Sequence, residues 1–209
     1  MKYYSQYSQD KYLNENFFKN KKNGVFVEIG AHDGVSGSNS LFFEETLDWD
    51  GICIEAIPSV FEKLIKNRKC KCVCKAAWKE NTNKIFRIID GYSEMLSGLI
   101  DCYEDEHVQR INNEISQMRQ NFKDVEVKCC DVNELLESYK LFNIDYLSID
   151  VEGSEFEILN HLDFNKFNIE FLTVENNYKS KKIRELMISK NYELICELDI
   201  DDVYKKIKP

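Results

Sequence analysis

The chain has 209 residues, of which 43% are hydrophobic and 31% are charged, a balance typical of one globular domain and not of a disordered or fibrous chain. The 28 Lys and Arg residues against 37 Asp and Glu residues give a formal net charge of −9, which disfavours nucleic acid or an anionic lipid surface as a partner. No apolar run approaches the roughly 20 residues that span a bilayer, and the N-terminal residues lack a signal-peptide core, so we expect a cytoplasmic protein.

In the first half of the chain, short apolar strands alternate with amphipathic helices. Strands are predicted at GVFVEIG, GICIEA and KCVCKAAW, and helices at SLFFEETL and SVFEKLIKN. The segment 91–121 differs, since it is polar and has a helical period in DEHVQRINNEISQMRQNF. We interpret it as a helical insertion on the substrate side of a single domain that spans residues 1–209.

The second half continues the alternation. Helices are predicted at NELLESYKL, SEFEILNHL and SKKIRELMISK, and strands at IDYLSID, IEFLTVEN, YELICELD and VYKKI. Apolar strands separated by helix-length segments predict an α/β sandwich around a mostly parallel sheet, and the strand-turn-strand ending predicts an antiparallel edge at the C-terminus.

Eight cysteines are few for a chain of this size, and it is large enough to bury its own core. No pair has the Cys-X-X-Cys spacing, and there are only three histidines, so a zinc site is not expected. We interpret the cysteines as small buried apolar residues in a reducing compartment.

In an open α/β sheet, ligands bind beyond the carboxyl ends of the strands. The first predicted strand ends in VFVEIGAHDG, with Glu28, Gly30 and Gly34 before the next helix. A dinucleotide site requires GxGxxG, but His32 and Val35 occupy the second and third glycine positions, which disfavours NAD. The pattern that remains, ExGxxxG, is the first motif of S-adenosylmethionine-dependent methyltransferases, in which the acid faces the cationic amino acid end of the cofactor.

The next strands offer two further cofactor contacts. Glu55 ends the GICIEA strand 25 residues after Gly30, and an acid at this distance accepts hydrogen bonds from ribose hydroxyls in other nucleotide folds. The third strand ends at Ala76 and Ala77, whose small side chains leave room for an adenine ring.

Five segments in chain order resemble FkbM-type methyltransferases. They are YSQD, FVEIGAHDG, GICIEAIP, IDYLSIDVEGSEFEIL and LTVENNY. The resemblance implies a Rossmann-like class I methyltransferase sandwich with a seven-stranded sheet. It also implies that S-adenosylmethionine is used to methylate an oxygen atom, often on a sugar or glycan, and that Gln9 reaches back over the cofactor. The predicted cofactor-binding residues are Gln9, Glu28, Gly30, Ala31, His32, Gly34, Glu55, Ala56, Ile57, Ala76, Ala77 and Asp150.

The ends of two later strands predict the reacting end of the site. Asp150 ends one strand, and Glu175 and Asn176 end the next, so their side chains are expected to converge at one edge of a parallel sheet. Oxygen ligands of this kind suit Mg²⁺, Mn²⁺ or Ca²⁺, and the pattern resembles that of catechol-type O-methyltransferases. We predict Asp150, Glu175 and Asn176 as metal ligands. We predict Asp150, Glu152 and Glu175 as the residues that orient or deprotonate the acceptor. Two alternatives stay open: a metal-free general base, and acids that only cap the following helix.

The predicted function is therefore transfer of a methyl group from S-adenosylmethionine to a hydroxyl of a sugar or glycan, with Mg²⁺ or Mn²⁺ as an optional second cofactor. The sequence leaves open a methyltransferase for protein or small-metabolite nitrogen or carboxyl groups. It also leaves open a non-catalytic cofactor-binding partner of a glycosyltransferase. The other acceptor classes stay open because the sheet machinery is shared across acceptors. A homodimer and a fusion to a glycosyltransferase stay open as well.

Overall fold

A computed structural model describes residues 1–207. The helices are α1 (Gln9–Leu13), α2 (Leu41–Leu47), α3 (Pro58–Asn67), α4 (Asp105–Met118), α5 (Val132–Ser138), α6 (Glu155–His161) and α7 (Lys181–Ser189). The strands are β1 (Val25–Ile29), β2 (Asp50–Glu55), β3 (Lys71–Cys74), β4 (Ala76–Trp78), β5 (Asn83–Ile89), β6 (Gly98–Leu99), β7 (Phe122–Asp131), β8 (Asn143–Ile149), β9 (Asn168–Glu175), β10 (Tyr192–Leu198) and β11 (Asp201–Lys206).

The main sheet has seven strands in the order β10-β11-β9-β8-β1-β2-β3. Neighbouring strands from β9 to β3 pair in parallel, whereas β11 runs antiparallel to both β9 and β10. The predicted fold class is confirmed: a mostly parallel seven-stranded sheet with an antiparallel C-terminal edge. The antiparallel strand is β11, which lies one place inside the outermost strand β10.

Both faces of this sheet are buried, as a parallel sheet with crossover helices requires. Successive side chains of a strand point to opposite faces, and β1 shows this clearly. Val27 and Ile29 belong to one core cluster with side chains of α5, α6 and α7. Phe26 belongs to the other cluster, with the aromatic rings of Phe43 and Trp49. Glu28 points to the same face as Phe26, so this carboxyl is directed into the fold.

A second sheet, with strand order β4-β7-β5-β6, was not predicted. The sequence interpretation took KCVCKAAW as one strand that ends at Ala76 and Ala77. That boundary is wrong, because β3 ends at Cys74, and Ala76 and Ala77 begin β4, which pairs with Cys129 and Cys130 of β7. The segment 91–121 contains two short 3-10 turns, the strand β6 and the helix α4, and it packs next to this second sheet.

The described residues include all eight cysteines, and each is a free thiol. Cys53, Cys129 and Cys130 are buried, and the other five are half-buried. In residues 1–207 no helix is both long enough and apolar enough to cross a bilayer.

Candidate active site

A cavity of about 380 Å³ opens at the carboxyl ends of β8, β1 and β2; we call it the first cavity. Three residues at these strand ends line it: Asp150, Gly30 and Glu55. Further lining residues are Gln6 and Tyr7 near the N-terminus and residues of β4, β5 and β6, of the 3-10 turn Gly91–Leu96 and of α4, and Glu152 and Glu175 line it as well. The predicted strand-end residues therefore surround one space.

Gly30 allows the chain to pass very close to the end of β8. Its φ is +84°, and a Cβ atom on it would lie 1.6 Å from the backbone oxygen of Asp150. Only glycine combines this backbone conformation with such an approach. The amides of Gly30 and Ala31 both donate to the carbonyl oxygen of Ile54 at 3.0 Å, which fixes the loop against β2.

Glu55 connects the β1 loop with the start of α3. Its carboxylate accepts the backbone N–H of His32 at 2.9 Å and that of Ile57 at 2.7 Å. Burial raises the pKa of Glu55, and the hydrogen bonds to Ile57 and His32 oppose this shift. Each carboxylate oxygen has a second lone pair, so the group can still accept hydroxyl donors from the cavity.

His32 joins the β1 loop to the insertion. Its Nε2 lies 3.0 Å from Oε2 of Glu94, its backbone has a φ of 48°, and its ring lines the first cavity. Four other predicted cofactor-binding residues contribute apolar surface to the cavity: Ala56, Ile57, Ala76 and Ala77. The four form a smooth surface beside Glu55, of the kind that an aromatic base packs against.

Gly34 does not line the first cavity. Its φ is +80°, and a Cβ atom would meet the side chains of Leu64 and Arg68 at 2.6 and 2.7 Å. Its backbone N–H donates to the carbonyl oxygen of Ala31. Gly34 therefore shapes the loop, while Ala31 lines a small neighbouring cavity of about 20 Å³.

Glu28 is hydrogen-bonded to groups of the segment that follows β1. Its carboxylate accepts hydrogen bonds from the hydroxyls of Ser38 and Ser40 and from the amide of Asn39. Oε2 also lies 3.0 Å from Nη1 of Arg68, which is fully buried. Glu28 also lines the small cavity beside Gly30 and Asp150, so its contact with the amino group of a cofactor stays a prediction.

Gln9 also binds inside the fold. Its Nε2 donates to Oδ2 of Asp201 and its Oε1 accepts the backbone N–H of Tyr7 at 2.9 Å. Gln9 lines the small cavity and not the first one. It positions Tyr7, which does line the first cavity.

Asp150, Glu152 and Glu175 form what we call the acid cluster. One carboxylate oxygen of each lies within 4.8 Å of the others. Burial and the neighbouring carboxylates raise all three pKa values, that of Asp150 to about 8 and those of Glu152 and Glu175 well above their usual range. This proximity requires a positive charge or shared protons, because adjacent buried carboxylates repel one another.

The structure does not bring Asn176 into the acid cluster. Its Oδ1 accepts the backbone N–H of Ser180 at 2.7 Å, and its Nδ2 donates to Oδ2 of Asp202 at 2.8 Å. Both polar atoms of the Asn176 amide therefore bind within the fold, and its role as a metal ligand stays a prediction.

His107 is a site residue that the sequence analysis missed. Its Nε2 donates to the carbonyl oxygen of Leu96 at 3.3 Å, and its Nδ1 accepts from the hydroxyl of Tyr178 at 3.2 Å. The same Nδ1 lies 3.6 Å from Oε2 of Glu152, a buried oxygen with no hydrogen-bond partner. Burial lowers the pKa of His107, which favours the neutral ring. The sequence signal was the helical spacing of His107 and Arg110, which are three residues apart and lie on the same face of α4. In the structure Arg110 lines the first cavity.

The first cavity has an excess of negative charge. Two basic residues line it, Lys75 and Arg110, and the carboxylates that line it are Glu55, Glu94, Glu114, Asp150, Glu152 and Glu175. Such a low-dielectric cleft attracts a cationic ligand. The arrangement suits a molecule with a positive centre near the acid cluster and an uncharged ring near the alanines.

Comparison with known proteins places this site in a family. The family model of the methyltransferase FkbM domain matches residues 28–194, which is more than half of the chain. No curated protein matches the sequence significantly.

Solved structures with related architecture share little sequence. A protein of the NADB-Rossmann superfamily from Streptococcus agalactiae is 12% identical, with 96% of this chain and 69% of that chain covered and a TM-score of 0.47. M. capricolum TrmK in complex with S-adenosylhomocysteine is 12% identical, with 94% and 66% covered and a TM-score of 0.46. Aeropyrum pernix fibrillarin with bound S-adenosylmethionine is 10% identical, with 96% and 73% covered and a TM-score of 0.46.

The match to the family model includes Gly30, Glu55, the acid cluster and most of the other residues that line the first cavity. The strand order and the strand-end positions agree with the fold that the sequence motifs predicted. The chain therefore belongs to the FkbM methyltransferase family, and it is an S-adenosylmethionine-dependent methyltransferase.

Proposed function

We propose that this enzyme binds S-adenosylmethionine in the first cavity and transfers its methyl group to a hydroxyl of a sugar or glycan. The observation that supports this most is the meeting of Gly30, Glu55 and Asp150 around one negatively charged space. A sulfonium cofactor carries a positive charge at the reacting centre, which complements the acid cluster.

The cofactor would lie with its ends at opposite sides of the cavity. The adenine packs on the apolar surface of Ala56, Ile57, Ala76 and Ala77. The ribose hydroxyls donate to Glu55, and the sulfonium lies toward Asp150. The backbone of the β1 loop, which Gly30 brings close to β8, borders the amino acid end.

The reaction is a direct displacement. The acceptor oxygen attacks the methyl carbon in line with the carbon–sulfur bond, an oxygen–carbon bond forms, and the carbon–sulfur bond breaks with its electron pair going to sulfur. The hydroxyl proton passes to a carboxylate of the acid cluster. Without a bound cation, the raised pKa values of Asp150, Glu152 and Glu175 make them stronger bases when ionised than ordinary carboxylates.

We also propose that Asp150, Glu152 and Glu175 bind a divalent cation, Mg²⁺ or Mn²⁺. The fit rests on three carboxylate oxygens within 4.8 Å and on Oε2 of Glu152, which is buried without a partner. Hard oxygen ligands of this kind suit these ions. When bound, such an ion would lower the pKa of an acceptor hydroxyl and fix its direction.

Titration calorimetry tests the cofactor and the ion separately. Chelator-treated protein is titrated with S-adenosylhomocysteine, with NAD as the control ligand, and then with Mn²⁺. We expect binding of S-adenosylhomocysteine, none of NAD, and a heat of Mn²⁺ binding that Asp150→Asn abolishes. Absence of S-adenosylhomocysteine binding would refute the proposed cofactor site, and an unchanged Mn²⁺ heat in the variant would refute the ion site.

The acceptor is tested by product analysis. Protein with labelled S-adenosylmethionine is incubated with neutral glycosides, amino sugars and carboxylic acids, and the products are identified by mass spectrometry and by the chemical shift of the new methyl group. We expect an O-methyl ether. A product methylated only at nitrogen or at a carboxyl group would refute the sugar hydroxyl as the acceptor and would favour the nitrogen or carboxyl classes.

A further inference from the structure

Three of the eight cysteines lie together at the edge of the main sheet that β2 and β3 form. Cys53 lies on β2, Cys72 lies opposite it on β3, and Cys70 immediately precedes β3. All three pack in the core cluster that contains Phe26 and Trp49. Sγ of Cys70 lies 3.6 Å from Sγ of Cys53, and Sγ of Cys72 lies 3.6 Å from the carbonyl oxygen of Cys70. The proposed methyl transfer uses none of these thiols.

We propose that Cys53 and Cys70 are a modification site, at which a peroxide oxidises the two thiols to a reversible disulfide bond. The sulfur atoms of a disulfide bond lie about 2.05 Å apart, so the two sulfurs need to approach by roughly 1.5 Å from their present 3.6 Å. The neighbouring cysteines Cys129 and Cys130 cannot pair in this way. They are consecutive residues of β7, and consecutive side chains of a strand point to opposite faces.

Cys70 has the surroundings of a reactive thiol. Its side chain is half-buried, whereas Cys53 is 0% exposed, so an oxidant reaches Cys70 first. Hydrogen bonds with the thiols of Cys53 and Cys72, together with the positive charge of Arg68, lower the pKa of Cys70 to about 3 against the effect of burial. The thiolate is the form of cysteine that attacks oxidants. Cys70 is therefore the attacking residue, and Cys53 is the residue that completes the bond.

The oxidation balances with hydrogen peroxide as the oxidant. The sulfur of Cys70 attacks one peroxide oxygen, the oxygen–oxygen bond breaks, and the released hydroxide takes a proton from solvent, which leaves Cys70 as a sulfenic acid. The sulfur of Cys53 then attacks the sulfur of Cys70, the sulfur–oxygen bond breaks, and the hydroxyl leaves as water with the proton of the Cys53 thiol. The two sulfurs lose two electrons in total to one peroxide. A dithiol reductant reverses the change by thiol–disulfide exchange.

The pair contacts the buried charges beneath the β1 loop. The thiol of Cys53 donates to Oε2 of Glu28 at 3.7 Å, and Nη1 of Arg68 donates to the same oxygen at 3.0 Å. Glu44 accepts both the backbone N–H of Cys70 and the Nε–H of Arg68. A disulfide bond removes the Cys53 donor from Glu28 and a negative charge from the surroundings of Arg68. Oxidation therefore changes the network that holds the loop, although neither cysteine lines the first cavity.

Peptide mass spectrometry of the unreduced protein tests the bond. The protein is treated with a few equivalents of hydrogen peroxide, the remaining thiols are blocked with N-ethylmaleimide, and trypsin cleaves at the Lys and Arg residues between Cys53 and Cys70. We expect a peptide pair linked through these two cysteines, and a fall in the number of blocked cysteines from eight to six. Dithiothreitol added before blocking should restore all eight.

Matched variants separate the pair from ordinary thiol oxidation. Cys70→Ser and Cys53→Ser should each abolish the linked peptide and keep all seven remaining cysteines available for blocking. Cys196→Ser removes another half-buried cysteine, and it should preserve the linked peptide, with a fall from seven blocked cysteines to five. The measurement on the parent protein needs no variant, so it stands even where a substitution prevents folding.

Three results would overturn the proposal. Oxidation of Cys70 to a sulfinic or sulfonic acid without a linked peptide would show that Cys53 does not complete the bond. A bond between Cys70 and Cys72 would show that the partner is wrong. Eight blocked cysteines after the peroxide treatment would show that Cys70 is not reactive. The experiment contains no S-adenosylhomocysteine, so each of these results leaves the proposed function standing.

Discussion

Replacing Arg68 with methionine tests whether the charges buried beneath the β1 loop hold the fold together. The Arg68 side chain is 0% exposed, with Nη1 3.0 Å from Oε2 of Glu28 and Nε 2.5 Å from Oε2 of Glu44. It also donates to the hydroxyl of Ser40 at 2.8 Å and to the carbonyl oxygen of Gly34 at 3.4 Å. Methionine keeps much of the apolar stem but leaves both carboxylates without their cation.

The expected loss follows from the burial of these groups. Removing one partner of a buried ion pair destabilises a protein by about 3–5 kcal/mol, because it leaves an uncompensated charge in a low dielectric. A shift of about 2–4 °C per kcal/mol is usual for a chain of this length, which predicts a thermal midpoint lower by about 6–20 °C. The loss is a large part of the total stability of about 5–15 kcal/mol that such domains have.

Urea unfolding followed by circular dichroism measures this loss. The matched control is Arg87→Met, since Arg87 pairs with Asp124 at a partly exposed site where a change of about 1 kcal/mol or less is usual. Adding Glu28→Gln and Glu44→Gln to Arg68→Met should restore part of the stability. If Arg68→Met unfolds at the same urea concentration as Arg87→Met, the buried network does not stabilise the loop. If Glu28→Gln lowers S-adenosylhomocysteine affinity with unchanged stability, Glu28 is a cofactor ligand after all.

Three further outcomes are expected. Glu55→Gln should weaken S-adenosylhomocysteine binding by about 1–3 kcal/mol, or about 5- to 150-fold, because it removes charge-assisted hydrogen bonds; calorimetry with the exposed Glu62→Gln as control measures this, and equal affinities would exclude Glu55 from the site. Gly30→Ala should lose the native fold or cofactor binding, since its Cβ would lie 1.6 Å from the oxygen of Asp150; a thermal midpoint like that of the parent protein would contradict the backbone position. Burial raises the pKa of Asp201 to about 6 from 3.8, so the folded state binds a proton at this carboxyl more tightly than the unfolded state does. The free energy of unfolding should therefore increase as the pH falls from about 6 to about 4. Asp201→Asn should remove this part of the pH dependence, which urea unfolding at several pH values measures.

The strand ends are the part of the site that the sequence predicted best. An apolar strand followed by Gly30, Glu55 or Asp150 is visible in a local window, and the topology rule for open α/β sheets places such residues around one cleft. The mostly parallel sheet with an antiparallel C-terminal edge follows from the alternation of strands and helices. Predicting these positions did not require knowing any residue that is distant in the sequence.

The contacts that the sequence did not predict involve side chains whose partners are elsewhere in the sequence. Glu28 binds Arg68, which is 40 residues later, and Gln9 binds Asp201, which is 192 residues later. Asn176 was predicted as a metal ligand because it adjoins Glu175, but its amide binds Ser180 and the carboxylate of Asp202 on β11. Residue type and spacing predict that a polar side chain lies near a strand end, but they do not predict which group satisfies it.

The second sheet was missed for a related reason. Ala76 and Ala77 directly follow β3 in the sequence, and only pairing with Cys129 and Cys130, more than fifty residues later, separates them from it. Sheet pairing between distant segments depends on tertiary contacts and not on local propensity. The consequence reaches the site, because β4 brings the two alanines to the wall of the first cavity.

The acid cluster connects binding and release in the proposed reaction. S-adenosylmethionine has a positive sulfur, and transfer of the methyl group leaves a neutral sulfur in S-adenosylhomocysteine. Two unit charges 4 Å apart attract each other by about 4 kcal/mol at an effective dielectric constant of 20, and this attraction is lost when sulfur becomes neutral. At the same moment the acid cluster receives the acceptor proton, which relieves the repulsion that raises the pKa values of Glu152 and Glu175. In the proposed reaction, the carboxylates that attract the cofactor would therefore attract the product less strongly, so that one group of charges would act in both binding and release.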